Sequence, residues 1–302
     1  MTATSLGSQS PPPALSEKYA HLRDLLRAMG SVVIGYSGGV DSTLLLKVAT
    51  DELGANAVAV IGDSEAFPQG EVESALAVAE AMGATVVRVP THELADPRFR
   101  VNNPDRCYFC KTELFSVLRQ VARERGIPHI ADGTHADDAG DHRPGMRAAE
   151  ELAVRSPLRE VGLTKAEVRS LAQHLGLSNW DKPSFACLSS RFPYGTTITP
   201  ELLARVDGCE KVLRRLGFRQ FRVRHHDTVA RIELMPEDFP IALKHRETLV
   251  QEFRAFGYLY VTLDLEGFRS GKMNDALSAG GASQRTRDEK LLRVLQGSGR
   301  GD

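Results

Sequence analysis

The sequence predicts an α/β protein in which a parallel sheet flanked by helices is followed by a smaller α+β domain. Three observations carry that prediction. Val32, Val33 and Ile34, closed by Tyr36, form a short β-branched run that leads through a glycine turn straight into a helix start, as a strand buried on both faces does when it opens a βαβ unit. Strand-length and helix-length apolar segments then alternate up to Ala131, and that order implies parallel pairing with helices on both faces. Beyond Thr199 the alternation gives way to a pair of period-two segments bracketed by helices, the pattern of a separate α+β unit.

Taken in order, residues 1–14 (MTATSLGSQSPPPA) have too little apolar content to bury anything and read as a disordered leader. The first domain spans 15–182. It opens with an amphipathic helix, Leu15 to Met29, and continues with the strand at Val32 and a helix whose apolar face is Leu44, Leu45 and Val48. Asn56 to Gly62 is a second strand, Glu71 to Met82 a helix, Thr85 to Val89 a third strand, Thr112 to Arg125 a helix and His129 to Ala131 a fourth strand, with a further helix from Lys165 to Leu175. Residues 183–277 form the second domain, which begins in the turn-rich loop WDKPSFACLSSRFPYG. Thr199 caps a helix running to Leu216, Arg219 to His225 and Val229 to Leu234 pair as strands, Asp238 to Phe256 is one helix and Tyr258 to Leu265 a strand. Residues 278–302, rich in Gly and Arg, read as a loose tail.

Composition excludes several classes. With 38 basic and 39 acidic residues among 302, the formal charge of −1 argues against a nucleic-acid partner. The apolar runs are short of a membrane span and no secretory signal pattern opens the chain, so the expectation is a cytoplasmic protein. Four cysteines in a chain of this length do not make a disulfide framework.

The turn after the first strand reads SGGVDS. Ser37, Gly38 and Gly39 crowd backbone N–H groups together, and Asp41 and Ser42 open the next helix, which makes an anion cradle at a helix N-terminus. Asp41 repels a phosphate unless a cation stands between them, and Mg2+ is the natural candidate. A lone Gly-Gly turn would need no such reading, but the whole string resembles the pyrophosphate loop of the ATP pyrophosphatases. No GxxxxGK[ST] occurs. In a parallel sheet the ligand site lies at the carboxyl ends of the strands, where Ser37 to Ser42, Asp63 to Phe67 and Asp132 to Asp138 should converge. Asp63 and Ser64 are expected to meet adenine or ribose, and Gly133 and Thr134 to line the nucleotide. Asp137 and Asp138 are either directed at a metal or form an exposed acidic turn.

Cys107 and Cys110 lie one helical turn apart in NNPDRCYFCK, and Cys187 sits in the later loop with Arg191. A CxxC pair in such a chain points to metal, cluster or redox work. Structural zinc needs two further ligands, from Cys187 with Cys209 or a histidine; an iron–sulfur cluster with three protein ligands needs only Cys187 and leaves one iron open. Cys209, at helical spacing with Leu202, Val206 and Leu213, reads as core.

The runs SGGVDS, GDSEAFPQGE, NNPDRCYFCK, DGTHADD, SPLREVGLTKAEVR and KPSFACLSSRFPYGTTIT together resemble the LarE family, pyridinium-3,5-biscarboxylic acid mononucleotide sulfurtransferases of the PP-loop superfamily, over about residues 15–276. The resemblance implies an adenine nucleotide alpha hydrolase-like domain. It also implies ATP-driven adenylation of a substrate carboxylate with loss of pyrophosphate, then displacement of AMP by sulfur, in assembly of a nickel-pincer nucleotide cofactor. Family members use either a sacrificed cysteine at the position of Cys187 or a [4Fe-4S] cluster on three cysteines. The presence of Cys107, Cys110 and Cys187 favours the cluster. Arg191, Arg222 and Arg224 are expected to grip the phosphate and carboxylates of the mononucleotide substrate. Glu210 and Glu233 are candidates for an additional metal site, and His225 and His226 read as surface residues. The resemblance further implies a homo-oligomer. A cluster-dependent tRNA thiolase and a nucleotide sensor without chemistry are the rival readings.

Overall fold

The computed structural model describes residues 12–140, 144–183, 186–275 and 277. Most of the expected leader and all of the expected tail 278–302 lie outside the described residues. Helix α1 (Pro13–Met29) starts inside the segment assigned to the leader, because proline suits the first helical turn and Leu15 is already buried.

The chain divides into two compact units, Met1–Gly208 and Cys209–Asp302. In the first, strands β1 (Val32–Gly35), β2 (Ala57–Asp63), β3 (Thr85–Pro90) and β4 (Ile130–Ala131) form one parallel sheet in the order β3-β2-β1-β4. Its two faces are filled by alternate residues of the same strands. Val32, Ile34, Ala57, Ala59 and Ile61 pack on one side with Leu22 and Leu26 of α1, Leu44 and Leu45 of α2 (Val40–Leu53), and Val168 and Leu171 of the helix Lys165–His174. Val33, Val58 and Val60 face the other side, against Phe115, Leu118 and Ala148. Both faces being buried explains why these strands read as unbroken apolar runs.

Helix α3 (Gln69–Ala81) follows β2, and the short α4 (Pro97–Arg100) precedes α5 (Arg106–Glu124). The latter reaches well back from Thr112, so Cys107 and Cys110 are helical. After α6 (Pro144–Glu151) and the short α7 (Pro157–Glu160), α8 (Lys165–His174) begins at a complete capping box, in which Thr164 and Glu167 satisfy each other's backbone N–H groups. The segment 186–198, expected in the second domain, is bonded to the first unit. Leu188 donates to the Ala66 carbonyl at 2.8 Å and Ile198 to that of Arg100 at 2.8 Å.

Helix α9 (Pro200–Arg215) crosses from the first unit into the second, with Thr199 Oγ1 accepting from the Leu202 N–H at 3.3 Å. In the second unit β5 (Phe221–His226) and β6 (Val229–Leu234) form the expected antiparallel pair, turning at Asp227 with φ 51°. The single helix expected over Asp238 to Phe256 is two, α10 (Phe239–Lys244) and α11 (Arg246–Ala255). The break falls at His245, whose N–H is shared by the Ile241 and Ala242 carbonyls. Ile241 and Leu243 are exposed whereas Leu249 and Phe253 are buried, so the two apolar stripes do not line up along one axis. Strand β7 (Tyr260–Leu263) then pairs parallel to β6. His225 and His226 are not surface residues. His225 is buried with Nδ1 3.0 Å from the Tyr258 hydroxyl, and His226 is half-buried, its Nε2 atom buried with no hydrogen-bond partner among the described residues; β5 is covered on both faces from Phe221 to His225.

Candidate functional site

Strand order reverses between β1 and β4, because the chain steps outward from β1 to β2 and β3 and then returns to the opposite side of β1. Such a switch point leaves a crevice at the strands' carboxyl ends, and the loop Ser37 to Ser42 leaves β1 there. Gly38 has φ +69°, and a Cβ on it would lie 2.5 Å from the Ala75 Cβ. A Cβ on Gly133, just past β4, would lie 2.8 Å from the Ser42 nitrogen. Both glycines are therefore required by close backbone approach, and Gly133 seats the loop after β4 directly against the start of α2. The Ser37 and Ser42 hydroxyls are 3.2 Å apart, and Ser42 Oγ also accepts the Ser37 N–H and donates to the Gly39 carbonyl. Tyr36 anchors the loop's entrance by donating to the Ala75 carbonyl at 3.0 Å.

Residues not singled out from the sequence complete this loop. Asn179 Nδ2 donates to the Gly38 carbonyl at 3.1 Å and to Thr43 Oγ1 at 2.9 Å, and Lys182 pairs with Glu71 at 2.7 Å. Both oxygens of Asp41 lie 2.6 Å from Lys165 Nζ. The cation beside Asp41 here is thus an ammonium group, supplied by the first residue of α8. Lys165 lies in the run GLTKAEVR, where the Thr164 cap is legible but nothing in the spacing points at Asp41.

The polar groups of the other two loops are engaged within the first unit. Asp63 pairs with Arg88 at 2.7 Å, and Ser64 Oγ donates at 2.5 Å to Glu93, a carboxylate only 3% exposed. Thr134 Oγ1 donates to Asp132 at 2.8 Å. Asp137 accepts the Lys165 backbone N–H at 2.8 Å, at the start of α8, and Asp138 accepts that of His135 at 3.1 Å, within the turn, so both carboxylates are engaged by backbone groups.

Cys107, Cys110 and Cys187 are free thiols of the first unit, and Cys209 is buried in the core as expected. Burial, reinforced by the nearby charges of Glu93 and Cys187, pushes the Cys110 thiol well above its ordinary range. The described residues hold no trio of Cys, His, Asp or Glu already set at metal-ligating geometry. Arg191 is fully buried, and its Nη1 donates to the carbonyls of Ala186 (2.8 Å) and Cys187 (3.1 Å) and to Ser190 Oγ (2.9 Å). It braces the cysteine loop from within. Arg106, also 3% exposed, donates to the Ser189 carbonyl at 2.8 Å and to the Asn102 side chain, and Asn102 Nδ2 reaches the Phe192 and Pro193 carbonyls.

In the second unit, Arg224 forms a two-pronged bond to Glu233 at 2.9 and 3.0 Å, and Glu233 also accepts from Arg231. Glu210 accepts the Val223 N–H at 3.0 Å. Arg222 donates to the Phe221 carbonyl and lies over the Phe268 ring. Arg222, Arg224, Glu210 and Glu233 are all buried rather than displayed on an open strand face, and no metal-ligating trio among the described residues includes either glutamate.

Comparison with known proteins adds to this geometry. The NAD synthase family model matches residues 15–120, the stretch from α1 through most of α5. An uncharacterized protein of Synechocystis sp. is 48% identical over 266 residues, covering 87% of this chain and 99% of its own. The pyridinium-3,5-bisthiocarboxylic acid mononucleotide synthase of Lactiplantibacillus plantarum is 43% identical over 265 residues, covering 87% of this chain and 96% of its own. The glutamine-hydrolyzing GMP synthase of Aeropyrum pernix is 28% identical over 176 residues, covering 50% of this chain and 33% of its own. Identity of 43% over nearly the full length of both chains places this chain in the family of the pyridinium-3,5-bisthiocarboxylic acid mononucleotide synthases.

Proposed function

We propose that this chain is an ATP-dependent sulfurtransferase that adenylates a carboxylate of pyridinium-3,5-biscarboxylic acid mononucleotide and converts it to a thiocarboxylate, releasing AMP and pyrophosphate. The observation that supports this most is the close-packed loop Ser37 to Ser42, whose Asp41 is paired with Lys165. A carboxylate is a poor electrophile. When one of its oxygens attacks the α-phosphate of ATP, pyrophosphate departs, and the loop's amides and the Ser37 and Ser42 hydroxyls are suited to hold the departing anion. Lys165 neutralises charge on the same side, and Asp41 is the carboxylate that would hold Mg2+, whose part is to shield the phosphates. Asp63, Ser64, Gly133 and Thr134 are assigned to the nucleotide's edges, and Arg191, Arg222 and Arg224 to support of the mononucleotide site.

Attack of a sulfur nucleophile on the acyl carbon then expels AMP. For the sulfur we favour Cys107, Cys110 and Cys187 as holders of a [4Fe-4S] cluster. Three soft thiols suit it, and they would have to close around it, since no ligating trio is preformed among the described residues. Bound there, it would supply transferable sulfide. The resemblance supports a homo-oligomer, and Glu210 and Glu233 are the acids offered for an additional metal or substrate site.

The test uses protein prepared without oxygen, ATP and the biscarboxylic substrate. Substrate-dependent AMP and pyrophosphate are expected, with loss of both in Asp41→Ala; ADP and phosphate as products contradict the loop assignment. Iron bound at about four atoms per chain and lost on Cys107→Ala, Cys110→Ala or Cys187→Ala supports the cluster. Colourless protein whose Cys187 becomes dehydroalanine after a single turnover supports sacrifice of that cysteine instead.

A further inference from the structure

Arg106 is a buried cation without a carboxylate. The residue, on the first turn of α5, is 3% exposed, and among the described residues no Asp or Glu carboxylate is one of the groups acting on it most strongly. Its hydrogen-bond partners are the Asn102 side chain and the Ser189 carbonyl at 2.8 Å, and its Nη2 lies 4.0 Å from the Cys107 sulfur. Burying an uncompensated charge costs several kcal/mol, so folds that bury arginine normally provide an anion. Here the ionisable side chains around Arg106 are the Cys107 thiol, the Cys187 thiol and the Tyr194 phenol.

The same arginine is half of a staple. Asn102, wholly buried in a left-handed conformation with φ 53°, directs Nδ2 to the Phe192 and Pro193 carbonyls at 3.2 and 2.8 Å, and its own carbonyl accepts the Gly195 N–H at 3.2 Å. Asn102 and Arg106 thereby take backbone carbonyls at Ser189, Phe192 and Pro193, just past Cys187, and fasten that loop to the helix turn bearing Cys107 and Cys110.

We propose that Arg106 is the positioning residue of the sulfur centre: it docks the Cys187 loop on α5 and offers a fixed positive charge to negatively charged sulfur held by Cys107 and Cys187. This rests on the reading of those cysteines as the sulfur centre. The ligand class is anionic sulfur, whether thiolate, persulfide or cluster sulfide, and the charge favours such a species beside an exposed Cys107 and a half-buried Cys187. A guanidinium suits both duties because it is always charged and presents several donors in one plane. A lysine would keep the charge and lose the fork.

The test is made on the full chain, first free of metal. The rate of alkylation at Cys107 and at Cys187 is measured by mass spectrometry with iodoacetate and with iodoacetamide, at one pH. Both reagents consume the same thiolate, so their ratio reads the local potential and not the ionisation state. A nearby cation raises that ratio, by about fivefold for a partly screened charge. The ratio at both cysteines is expected to fall by about that factor in Arg106→Gln and to recover in Arg106→Lys. Cross-linking of Cys107 to Cys187 by a short bis-methanethiosulfonate, which forms a disulfide at each thiolate and expels methanesulfinate, should fall in both variants, and also in Asn102→Ala, which leaves the charge in place. Unchanged ratios in Arg106→Gln overturn the proposal. Should Arg106→Gln fail to fold, Arg106→Lys and Asn102→Ala still decide: a cross-linking yield equal to wild type in both overturns it. Iron content is measured separately. Wild-type protein that binds no iron yet shows the Arg106-dependent ratio would sink the cluster and leave this inference standing, whereas full iron with no dependence of either readout on Arg106 would do the reverse.

Discussion

Gly38 and Gly30 have the same φ of +69°, yet only Gly38 meets an obstacle, the Ala75 Cβ at 2.5 Å, while nothing lies within 4 Å of a Cβ on Gly30. Alanine at either site should cost about 1 kcal/mol for the left-handed backbone. At Gly38 the clash adds about 1–3 kcal/mol and shifts the phosphate loop. Urea unfolding should therefore separate the two variants, and ATP cleavage should drop in Gly38→Ala alone. Equal destabilisation with full activity in both would contradict the close-approach argument. A pH effect belongs at this scale too. Burial, with the charges of Arg231 and Arg224, holds His226 below the usual imidazole range. The unfolded chain then binds the proton more readily, so the stability due to this neutral histidine is full above about pH 6.5 and is lost as pH falls below it. His226→Asn should flatten the fall in urea midpoint between neutral and mildly acid pH; an unchanged slope would show that other groups carry it. The residues of the phosphate loop were legible because glycines and hydroxyls in one short string have few other uses. Lys165, Asn179 and Arg106 were not, since each acts on a segment far away in sequence, and no local period encodes such a pairing.

Among the elements, the parallel strands were readable from their β-branched runs, and α8 from its cap. Thr164→Ala removes the side chain that accepts the Glu167 N–H and loosens the start of α8. It should cost about 1 kcal/mol in urea unfolding. Because Lys165 is the first residue of that helix and holds both oxygens of Asp41, the same substitution should lower the rate of AMP formation several-fold. Lost stability at unchanged rate would detach the cap from the site. Sequence reasoning failed where tertiary packing overrides local pattern. The break at His245 falls where no Gly or Pro marks it, and the alternation of Arg222 and Arg224, which suggests an open polar face, belongs to a strand covered on both sides, where Glu233 neutralises Arg224. Charged side chains spaced two apart say which face they share, and not whether that face is wet.

At the level of the whole molecule, the reversal of strand order beside β1 is what makes one glycine loop into a site, for it opens a crevice at the carboxyl ends of β1 and β4, where the loop after β4 meets the start of α2. The order of elements, legible from sequence, requires a parallel sheet; the reversal itself depends on which edge β4 chooses, which sequence alone does not specify. The central claim is that ATP cleavage at this loop is spent on replacing carboxylate oxygen with sulfur. The most direct measurement is the stoichiometry of a single reaction mixture: AMP by chromatography against thiocarboxylate by mass spectrometry, with the anaerobic protein, ATP and the biscarboxylic mononucleotide. The account predicts one AMP for each oxygen exchanged for sulfur, and neither product in Asp41→Ala. AMP accumulating with no sulfur in the mononucleotide, from protein carrying a full complement of sulfur, would contradict it.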